Sequence, residues 1–284
     1  MNIIVISGPT CSGKTNKAIQ LCKKLNGEIV SCDSRQIYKY LNIGTNKKGV
    51  LVRNGLRTIE GIKQHLVDII DPDQFYNVAQ FVKDADKIIA NIIHSKKVPI
   101  ITGGCGLYIK ALLYGIDKMP KSNVDLRNTL RLKSCNELYN QLKLLDPESA
   151  KKNQYNPQRL IRALEINIMT KKTMKELYSV KHRRYNFKHY NIMINKNILY
   201  NRINNRCQYM LNNGLINETH KIIKMGFNKN TIAMTSIGYR HIIKYLENII
   251  SKDELFLEFS KDTRNYAKRQ ITWFKHQPDI EFIL

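Results

Sequence analysis

The apolar residues of this chain occur at two spacings, which separate short strand candidates from helices. Over residues 14–25, Ala18, Ile19 and Cys22 recur at helical spacing, and residues 79–94 show the same periodicity. Short apolar runs flank these helices and have the length of buried strands: 3–7, 28–32, 65–69 and 98–102. Strands that alternate with helices predict an α/β fold, in which helices cover both faces of a parallel sheet.

Beyond residue 117 the pattern loses its strands. Residues 118–186 show helical spacing interrupted by Pro and Asn, and we interpret them as a helical insertion domain. The predicted core is then discontinuous and consists of residues 1–117 and 187–284. Its later elements follow from the same spacings: a strand over 187–195, a helix over 199–225 that breaks near Asn213, and a helix over 252–275.

The predicted helix over 252–275 carries aromatic residues at a seven-residue interval. Phe259, Tyr266 and Trp273 fall on one face. We interpret this stripe as core packing, since such stripes are more often buried than exposed for base stacking. Lys and Arg residues crowd the rest of the helix surface.

Membrane and secretory classes are not indicated. No apolar run reaches the roughly 18 residues of a membrane span. The first apolar run leads straight into Gly8, which is typical of a buried strand and not of a secretory signal. The six cysteines form no Cys-x-x-Cys pair, so neither a zinc site nor a redox motif is expected. We therefore expect free thiols and a cytoplasmic protein.

Positive charge changes the picture more than any other property of the composition. The 47 Lys and Arg residues exceed the 23 Asp and Glu residues, for a formal net charge of +24. A field of this sign attracts polyanions, of which nucleic acid is the commonest. A coding bias toward Lys, Asn and Ile would produce the same excess, so composition alone leaves both explanations open.

The stretch GPTCSGKT, residues 8–15, matches the phosphate-loop pattern G-x-x-x-x-G-K-[ST] between a predicted strand and a predicted helix. Backbone N–H groups around Ser12 and Gly13 would point at phosphate oxygens, and the helix N-terminus adds positive potential. Lys14 supplies a point charge, and the Thr15 hydroxyl can reach Mg²⁺. The loop therefore predicts a bound diphosphate or triphosphate, without saying whose it is.

Acidic residues after the strand candidates bear on which phosphate ester is bound. A nucleotide kinase usually places an Asp after an apolar strand to hold the metal, but residues 98–102 lead into GGCGLY without a carboxylate. Asp68 is a possible substitute. Asp33 follows the second strand candidate, at the ligand-facing end of a parallel sheet. Such a carboxylate either binds metal or faces the nucleophile; the alternative is that Asp33 caps the turn that follows it.

Eight stretches together resemble the tRNA dimethylallyltransferase family, in the family's order and across nearly the whole chain. They are GPTCSGKT (8–15), DSRQIYKYLNIGTNK (33–47), HLVD (65–68), GGCGLYIKALL (103–113), QRLIRALE (158–165), LYNRINNRCQYMLNNGLINE (199–218), IGYR (237–240) and YAKRQITWF (266–274). The resemblance implies a P-loop-like core with a helical insertion. It also implies transfer of a dimethylallyl group from its diphosphate to N6 of adenosine 37, next to the tRNA anticodon.

The resemblance also implies roles for individual residues. Asp33 would be the general base, and Arg206, not Arg202 one turn earlier, would clamp the diphosphate. Mg²⁺ held by Thr15 would be the cofactor, and the substrates would be dimethylallyl diphosphate and a tRNA anticodon stem-loop, bound by a monomer. The predicted diphosphate-binding residues are Gly8, Pro9, Thr10, Cys11, Ser12, Gly13, Lys14 and Thr15, of which Lys14 and Thr15 are also assigned to catalysis.

Positions that touch tRNA in the family map onto three stretches and two single residues. Arg159 and Arg162 are three apart on a predicted helix, where an ordinary solvated face is the alternative. Cys105 stands where the family usually has Thr, and a thiol is a weaker hydrogen-bond donor than a hydroxyl. The predicted tRNA contacts are Asp33, Ser34, Arg35, Gln36, Cys105, Arg127, Gln158, Arg159, Leu160, Ile161, Arg162, Thr235, Ser236, Ile237, Gly238, Tyr239 and Arg240.

Three other functions remain compatible with the motifs. A prenyltransferase acting on free adenine nucleotides would share the loop, but it would not need a charge of +24. A P-loop kinase would bind ATP in the same loop and transfer its γ-phosphate. An RNA-binding protein with a vestigial loop would form no product at all.

Overall fold

The computed structural model describes residues 2–179 and 182–284, and one eight-stranded sheet runs through the described part. Its strands are β1 (Ile3–Ser7), β2 (Gly27–Ser31), β3 (Val50–Arg53), β4 (Leu56–Ile59), β5 (Ile62–His65), β6 (Val98–Gly103), β7 (Phe187–Ile192) and β8 (Glu281–Ile283). In space their order is β3-β4-β5-β2-β6-β1-β7-β8. Neighbours from β5 to β8 pair in parallel, whereas β3 pairs antiparallel with β4, and β4 with β5.

Helices connect most of these strands. They are α1 (Lys14–Leu25), α2 (Val78–His94), α3 (Gly106–Tyr114), α4 (Val124–Arg131), α5 (Cys135–Leu145), α6 (Pro147–Asn153), α7 (Pro157–Thr170), α8 (Met174–Leu177), α9 (Lys196–Asn212), α10 (Leu215–Lys224), α11 (Tyr239–Leu246) and α12 (Lys252–Lys275). Within the described residues, none of them combines the length and the apolar character that a bilayer crossing requires.

Side chains of β1 alternate between the two faces of the sheet. Ile3 and Val5 lie in one buried cluster with residues of α2 and α3, such as Phe81 and Leu112. Ile6 lies in a different cluster, with apolar residues of α1. The predicted parallel sheet with helices on both faces is therefore confirmed.

The sequence interpretation does not include β3 and β4, which form an antiparallel meander with β5. Its tight turns contain Gly55 and Gly61, which have positive φ angles of 84° and 80°. The Asn-Gly pair at the first turn is a readable hairpin signal. However, each strand has only four residues and β3 is exposed throughout, so hydrophobic periodicity does not mark them.

The chain leaves β5 at His65, so the predicted strand over 65–69 is wrong in position. Leu66 and Asp68 have left-handed backbone angles, with φ of 60° and 54°, which an extended strand does not contain. Leu66 and Val67 are nevertheless buried. The apolar run is therefore a buried turn and not a continuation of the strand.

A further helical layer, from α9 to α12, packs around its own apolar cluster. The long helix α12 begins with a capping box between Ser251 and Glu254, which satisfies N–H groups of its first turn. Phe259 of α12 is buried in this cluster with Tyr239, and so is Ile37 of the segment after β2. The layer thus holds the segment that follows β2, which belongs to the predicted site.

Residues Gly115–His182 form the second of two compact units; the first combines the chain up to Tyr114 with Arg183–Leu284. The described part of this second unit contains α4 to α8, around a core that includes Leu138 and Leu164. We predict the insertion over 118–186, and positions 180 and 181 of that range lie outside the described residues.

Candidate active site

The phosphate loop joins β1 to α1, and within it Ser12 N–H donates to Pro9 O at 3.3 Å. Lys17 N–H donates to Gly13 O at 3.2 Å, which is the first helical hydrogen bond of α1. Gly13 has a φ of 91°, and a Cβ there would meet open space, so the backbone turn and not packing requires glycine. Helix α1 begins at Lys14, so the N–H groups of its first turn face the loop and have no partner within the helix.

A cavity adjoins this loop, and its volume of about 420 Å³ is within the usual range of small-ligand sites. Four separate stretches of the chain contribute predicted residues to its wall. These residues are Thr10, Lys14, Thr15, Asp33, Ser34, Arg35, Gln36, Arg206, Thr235, Ser236, Ile237 and Arg240. The fold therefore gathers the phosphate loop, the turn after β2, helix α9 and the segment over residues 235–240 around one space.

Two cations face the cavity beside the phosphate loop. Lys14 Nζ donates to the Pro9 carbonyl at 3.1 Å. Burial, followed by the neighbouring charge of Arg206, lowers the pKa of Lys14 to about 8. Arg206 Nη2 donates to Thr10 Oγ1, while Arg202 is exposed and does not line the cavity. The geometry thus favours Arg206 over Arg202 as an anion clamp.

Asp33 combines the two roles that its position in the sequence allows. Its Oδ1 accepts from the N–H groups of Arg35 at 2.8 Å and Gln36 at 3.3 Å, so it caps the turn after β2. The residue is half-buried and lines the cavity. Its hydrogen bonds within the described residues all use Oδ1. The turn therefore orients the carboxylate while Oδ2 remains for a ligand.

Asp68, the other carboxylate that follows a strand, is committed to buried ion pairs. Its side chain is 4% exposed, with Lys47 Nζ at 2.5 Å from Oδ1 and Arg57 Nε at 2.6 Å from Oδ2. Lys47 also donates to Tyr38 O. The cluster fixes the segment after β2 against β4, and Asp68 does not line the cavity. Asp68 is therefore not available as a metal ligand of this site.

The residues at the loop fit a magnesium ion that is shared with substrate phosphates. Thr15 lines the cavity, and so does Thr102 at the end of β6. The hydroxyl of Thr102 is buried and has no hydrogen-bond partner among the described residues. Mg²⁺ usually binds one or two protein oxygens together with phosphate and water. Among the described residues, no group of three or more His, Cys, Asp or Glu is placed to hold a metal. The hydroxyls of Thr15 and Thr102 are oxygen donors of the kind that this shared mode uses.

Cys105 lies just outside the cavity wall, in the turn after β6. Its N–H donates to Cys32 O at 3.3 Å, and its side chain interacts with Ser34 and Asp33. Burial raises the pKa of the thiol, so it stays protonated. The thiol therefore contacts the turn after β2 and does not line the cavity.

The segment over residues 235–240, which runs into the start of α11, presents only some of its predicted residues to the cavity. Tyr239 is fully buried, and its hydroxyl donates to Glu218 Oε1 at 2.6 Å. Gly238 is also buried, so these two residues support the segment from within. Arg240 is exposed and pairs with Asp262. The side of this segment that faces the cavity consists of Thr235, Ser236, Ile237 and Arg240.

The predicted contacts in the insertion unit divide into exposed and buried residues. Arg127 Nε and Nη2 donate to the two oxygens of Glu165 at 2.9 Å each, and Arg162 binds the same carboxylate. The Glu165 side chain has no exposed surface. Although burial opposes it, hydrogen bonds from both arginines hold the pKa of Glu165 below its usual value. Arg127 and Arg162 are thus structural cations as well as candidate RNA contacts.

The remaining predicted residues of α7 follow the helix faces. Gln158 and Arg159 are exposed, and Ile161 is half-buried. Leu160 is fully buried in the core of the unit, so its side chain has no surface to offer to RNA. Arg159 is therefore the cation of this stretch that is most accessible to a phosphate backbone.

Helix α12 contributes cavity residues that the sequence interpretation does not assign. Phe259, Thr263, Tyr266 and Arg269 all line the cavity. Phe259 is buried as predicted, whereas Tyr266 is only half-buried, and burial raises the pKa of its hydroxyl. Polar residues on the core-facing stripe, Thr263 and Gln270, are the signal that could have located this wall.

Known proteins resemble the whole of this chain in sequence. The profile of the family described as IPP transferase matches residues 36–277. A tRNA dimethylallyltransferase of Endomicrobium trichonymphae is 61% identical over 283 residues, which cover 100% of this chain and 95% of that protein.

Solved structures show the same similarity in three dimensions. The tRNA delta(2)-isopentenylpyrophosphate transferase of Staphylococcus epidermidis is 36% identical, with a TM-score of 0.70 that covers 99% of this chain and 92% of the other. A eukaryotic dimethylallyltransferase described as acting on tRNA reaches a TM-score of 0.83 at 26% identity, over 99% of this chain and 73% of the other. The similarity therefore includes the phosphate loop and Asp33, which precede the matched family profile.

Proposed function

Because this chain belongs to the IPP transferase family, we propose that it transfers a dimethylallyl group from dimethylallyl diphosphate to N6 of adenosine 37 in tRNA. The observation that carries the proposal is that the phosphate loop, Asp33 and Arg206 share one cavity. Such a transfer needs a holder for the leaving diphosphate and a base for the attacking amine. In this proposal the phosphate loop and Arg206 hold the diphosphate, and Asp33 is the base.

The cationic side of the cavity is suited to a departing diphosphate. Negative charge grows on the diphosphate as the bond between the allylic carbon and oxygen breaks. The N–H groups at the start of α1, Lys14 and Arg206 are fixed donors that would stabilise this charge where it develops. Mg²⁺ held by Thr15 and the phosphates would neutralise further charge on the leaving group.

The acidic side of the cavity is suited to the nucleophile. The exocyclic amine of adenine attacks poorly, because its lone pair is delocalised into the ring. As the new bond from N6 to the allylic carbon forms, N6 must lose one proton; in this proposal Asp33, which lines the cavity, accepts it. A positioned general base typically contributes about 10²–10⁴-fold in rate.

The rim of the cavity supports RNA as the acceptor. Arg35, Arg240 and Arg269 line the same space as Asp33. A target base in an anticodon loop must be flipped out to enter such a pocket, and cations at the rim would hold the neighbouring phosphates. The net charge of +24 supports a polyanionic acceptor over a free nucleotide. We expect the enzyme to act as a monomer in the cytoplasm.

The test is incubation with dimethylallyl diphosphate, Mg²⁺ and an unmodified tRNA that carries A36-A37-A38, followed by mass analysis of the nucleosides. We expect isopentenyladenosine at position 37 and release of diphosphate. Parallel incubations with AMP in place of tRNA, and with ATP in place of the allylic donor, test the nucleotide prenyltransferase and the kinase. Product from AMP but not from tRNA, or phosphoryl transfer from ATP, would overturn the proposal.

A further inference from the structure

Gln270 of α12 lies between two loops of the site, and its side-chain amide bonds to both. Its Oε1 accepts from Thr10 N–H at 2.8 Å, in the phosphate loop. Its Nε2 donates to Gly104 O at 2.9 Å, in the turn after β6. Gln270 is 6% exposed. The amide is thus removed from water, and backbone groups of two different loops satisfy both of its ends.

The turn after β6 is shaped to accept side chains of α12. A Cβ at position 104 would lie 2.1 Å from Gln270 Nε2, so only glycine leaves room for the amide. Three residues further along α12, Trp273 Nε1 would lie 2.1 Å from a Cβ at position 106. Two glycines of the GGCGLY stretch therefore mark close contacts with α12, and the helix sets the position of the turn.

On the leaving-group side, Gln270 fixes the tip of the phosphate loop. Thr10 bonds to Gln270 through its N–H and to Arg206 through its Oγ1. A tilt of the Thr10 peptide would move its hydroxyl and release the guanidinium. Because a planar guanidinium must meet two phosphate oxygens at once, its orientation matters as much as its charge.

On the carboxylate side, Gln270 fixes the turn that packs against the end of β2. Next to the bonded Gly104, Cys105 N–H donates to Cys32 O at 3.3 Å. Cys32 immediately precedes Asp33 in the chain. One amide therefore connects the loop that faces the diphosphate with the backbone that carries the candidate base.

We propose that Gln270 is a positioning residue of the transfer, which keeps Arg206 and Asp33 in register on the two sides of the reacting bond. The inference rests on the proposed function, since it assigns Gln270 to the geometry of that reaction. Gln270 itself does not line the cavity. Displacing reacting groups by about 1 Å can lower a rate by about 10²-fold, so a residue outside the cavity can strongly affect kcat.

The test compares Gln270→Met with the matched control Gln277→Met, whose native amide donates to Trp273 O at 3.2 Å at the end of α12. We expect Gln270→Met to lower kcat by about 10- to 100-fold with dimethylallyl diphosphate and tRNA at saturation. Its thermal midpoint and its Kd for unmodified tRNA should stay close to those of the control. Gln277→Met should turn over like the unsubstituted chain.

A double-substitution cycle separates positioning from simple packing. Thr10→Val already breaks the contact with Arg206, so adding Gln270→Met should then slow kcat less than it does alone, with the remaining loss coming from the Asp33 side. Multiplicative losses in the double variant would overturn the inference, and so would an unchanged kcat in Gln270→Met.

A second variant covers the case in which Gln270→Met does not fold. Gln270→Asn keeps an amide that is one methylene too short to reach both loops, and the same loss of kcat is expected; normal turnover would overturn the inference. An unsubstituted chain that forms no product would instead overturn the proposed function, and this inference with it.

Discussion

Two aspartates follow neighbouring strands of the same sheet, and the fold uses them in opposite ways. Asp33, after β2, caps its own turn through one oxygen and lines the cavity. Asp68, beyond β5, is buried between Lys47 and Arg57. Position at the end of a strand therefore identifies both as candidates, and the side chains that surround each one decide its role.

Basic residues also divide into those that are available to a ligand and those that are held in buried ion pairs. Lys14 lines the cavity, whereas the Lys47 side chain has no exposed surface and pairs with Asp68. In the insertion unit, Arg159 is exposed, whereas Arg127 binds the buried Glu165. We expect substitutions of charges that line the cavity or lie exposed on the surface to change chemistry or binding, and substitutions of the buried pairs to change stability.

Substitution of Asp33 has the largest expected effect. Asp33→Asn keeps a side-chain oxygen that can cap the turn but removes the base, so kcat should fall by at least about 10²-fold. Initial rates of nucleoside formation measure this, with the exposed Asp73→Asn as the control. Turnover near that of the unsubstituted chain would show that Asp33 is not the base and would break the contrast with Asp68.

Substitution of Asp68 should act on folding instead. Asp68→Asn leaves two buried cations without a counter-charge, and removing one partner of a buried pair typically costs about 3–5 kcal/mol. Denaturant unfolding measures the loss. The control is Asp71→Asn, which breaks the more exposed pair with Lys39 and should cost less than about 1 kcal/mol. A stable Asp68→Asn variant with strongly reduced kcat would reverse the two assignments.

The pH dependence of diphosphate binding sharpens the contrast between the lysines. Burial and the charge of Arg206 lower the pKa of Lys14 to about 8. Lys14 is thus charged below that pH and loses its proton as the pH rises through it. Affinity for magnesium pyrophosphate, measured by calorimetry, should therefore be greatest near pH 7 and fall by up to about tenfold toward pH 9. Lys14→Arg stays charged and should flatten the profile; an unchanged profile would exclude Lys14 as its cause.

The smallest expected effect concerns RNA binding by the insertion unit. Arg159→Ala should reduce the slope of log Kd against log salt concentration by about 0.7–0.9, the value of one phosphate contact. Arg127→Ala should chiefly lower the thermal midpoint, because it removes a partner of buried Glu165. Titration of labelled tRNA at several salt concentrations measures the slopes. An unaltered slope for Arg159→Ala would remove that residue from the footprint.

The sequence determined the parts of this protein that contiguous residues encode. The pattern of residues 8–15 predicts a phosphate loop, and the structure places that loop between β1 and α1. The bounds of α12 also follow from local signals, since a capping box and helical spacing lie within the segment itself. Short exposed strands such as β3 were not predicted, because four residues carry too little periodicity.

Only the tertiary structure decided which charges are free and which are paired. Thr10 bonds to Gln270, which is 260 positions away in the sequence, and to Arg206, which is 196 positions away. No local sequence pattern predicts either contact. Burial and partnership depend on what the rest of the chain brings alongside a residue. The sequence therefore offered Asp33 as the main candidate and Asp68 as a possible substitute, and the folded chain showed that the first lines the cavity and the second is a buried counter-ion.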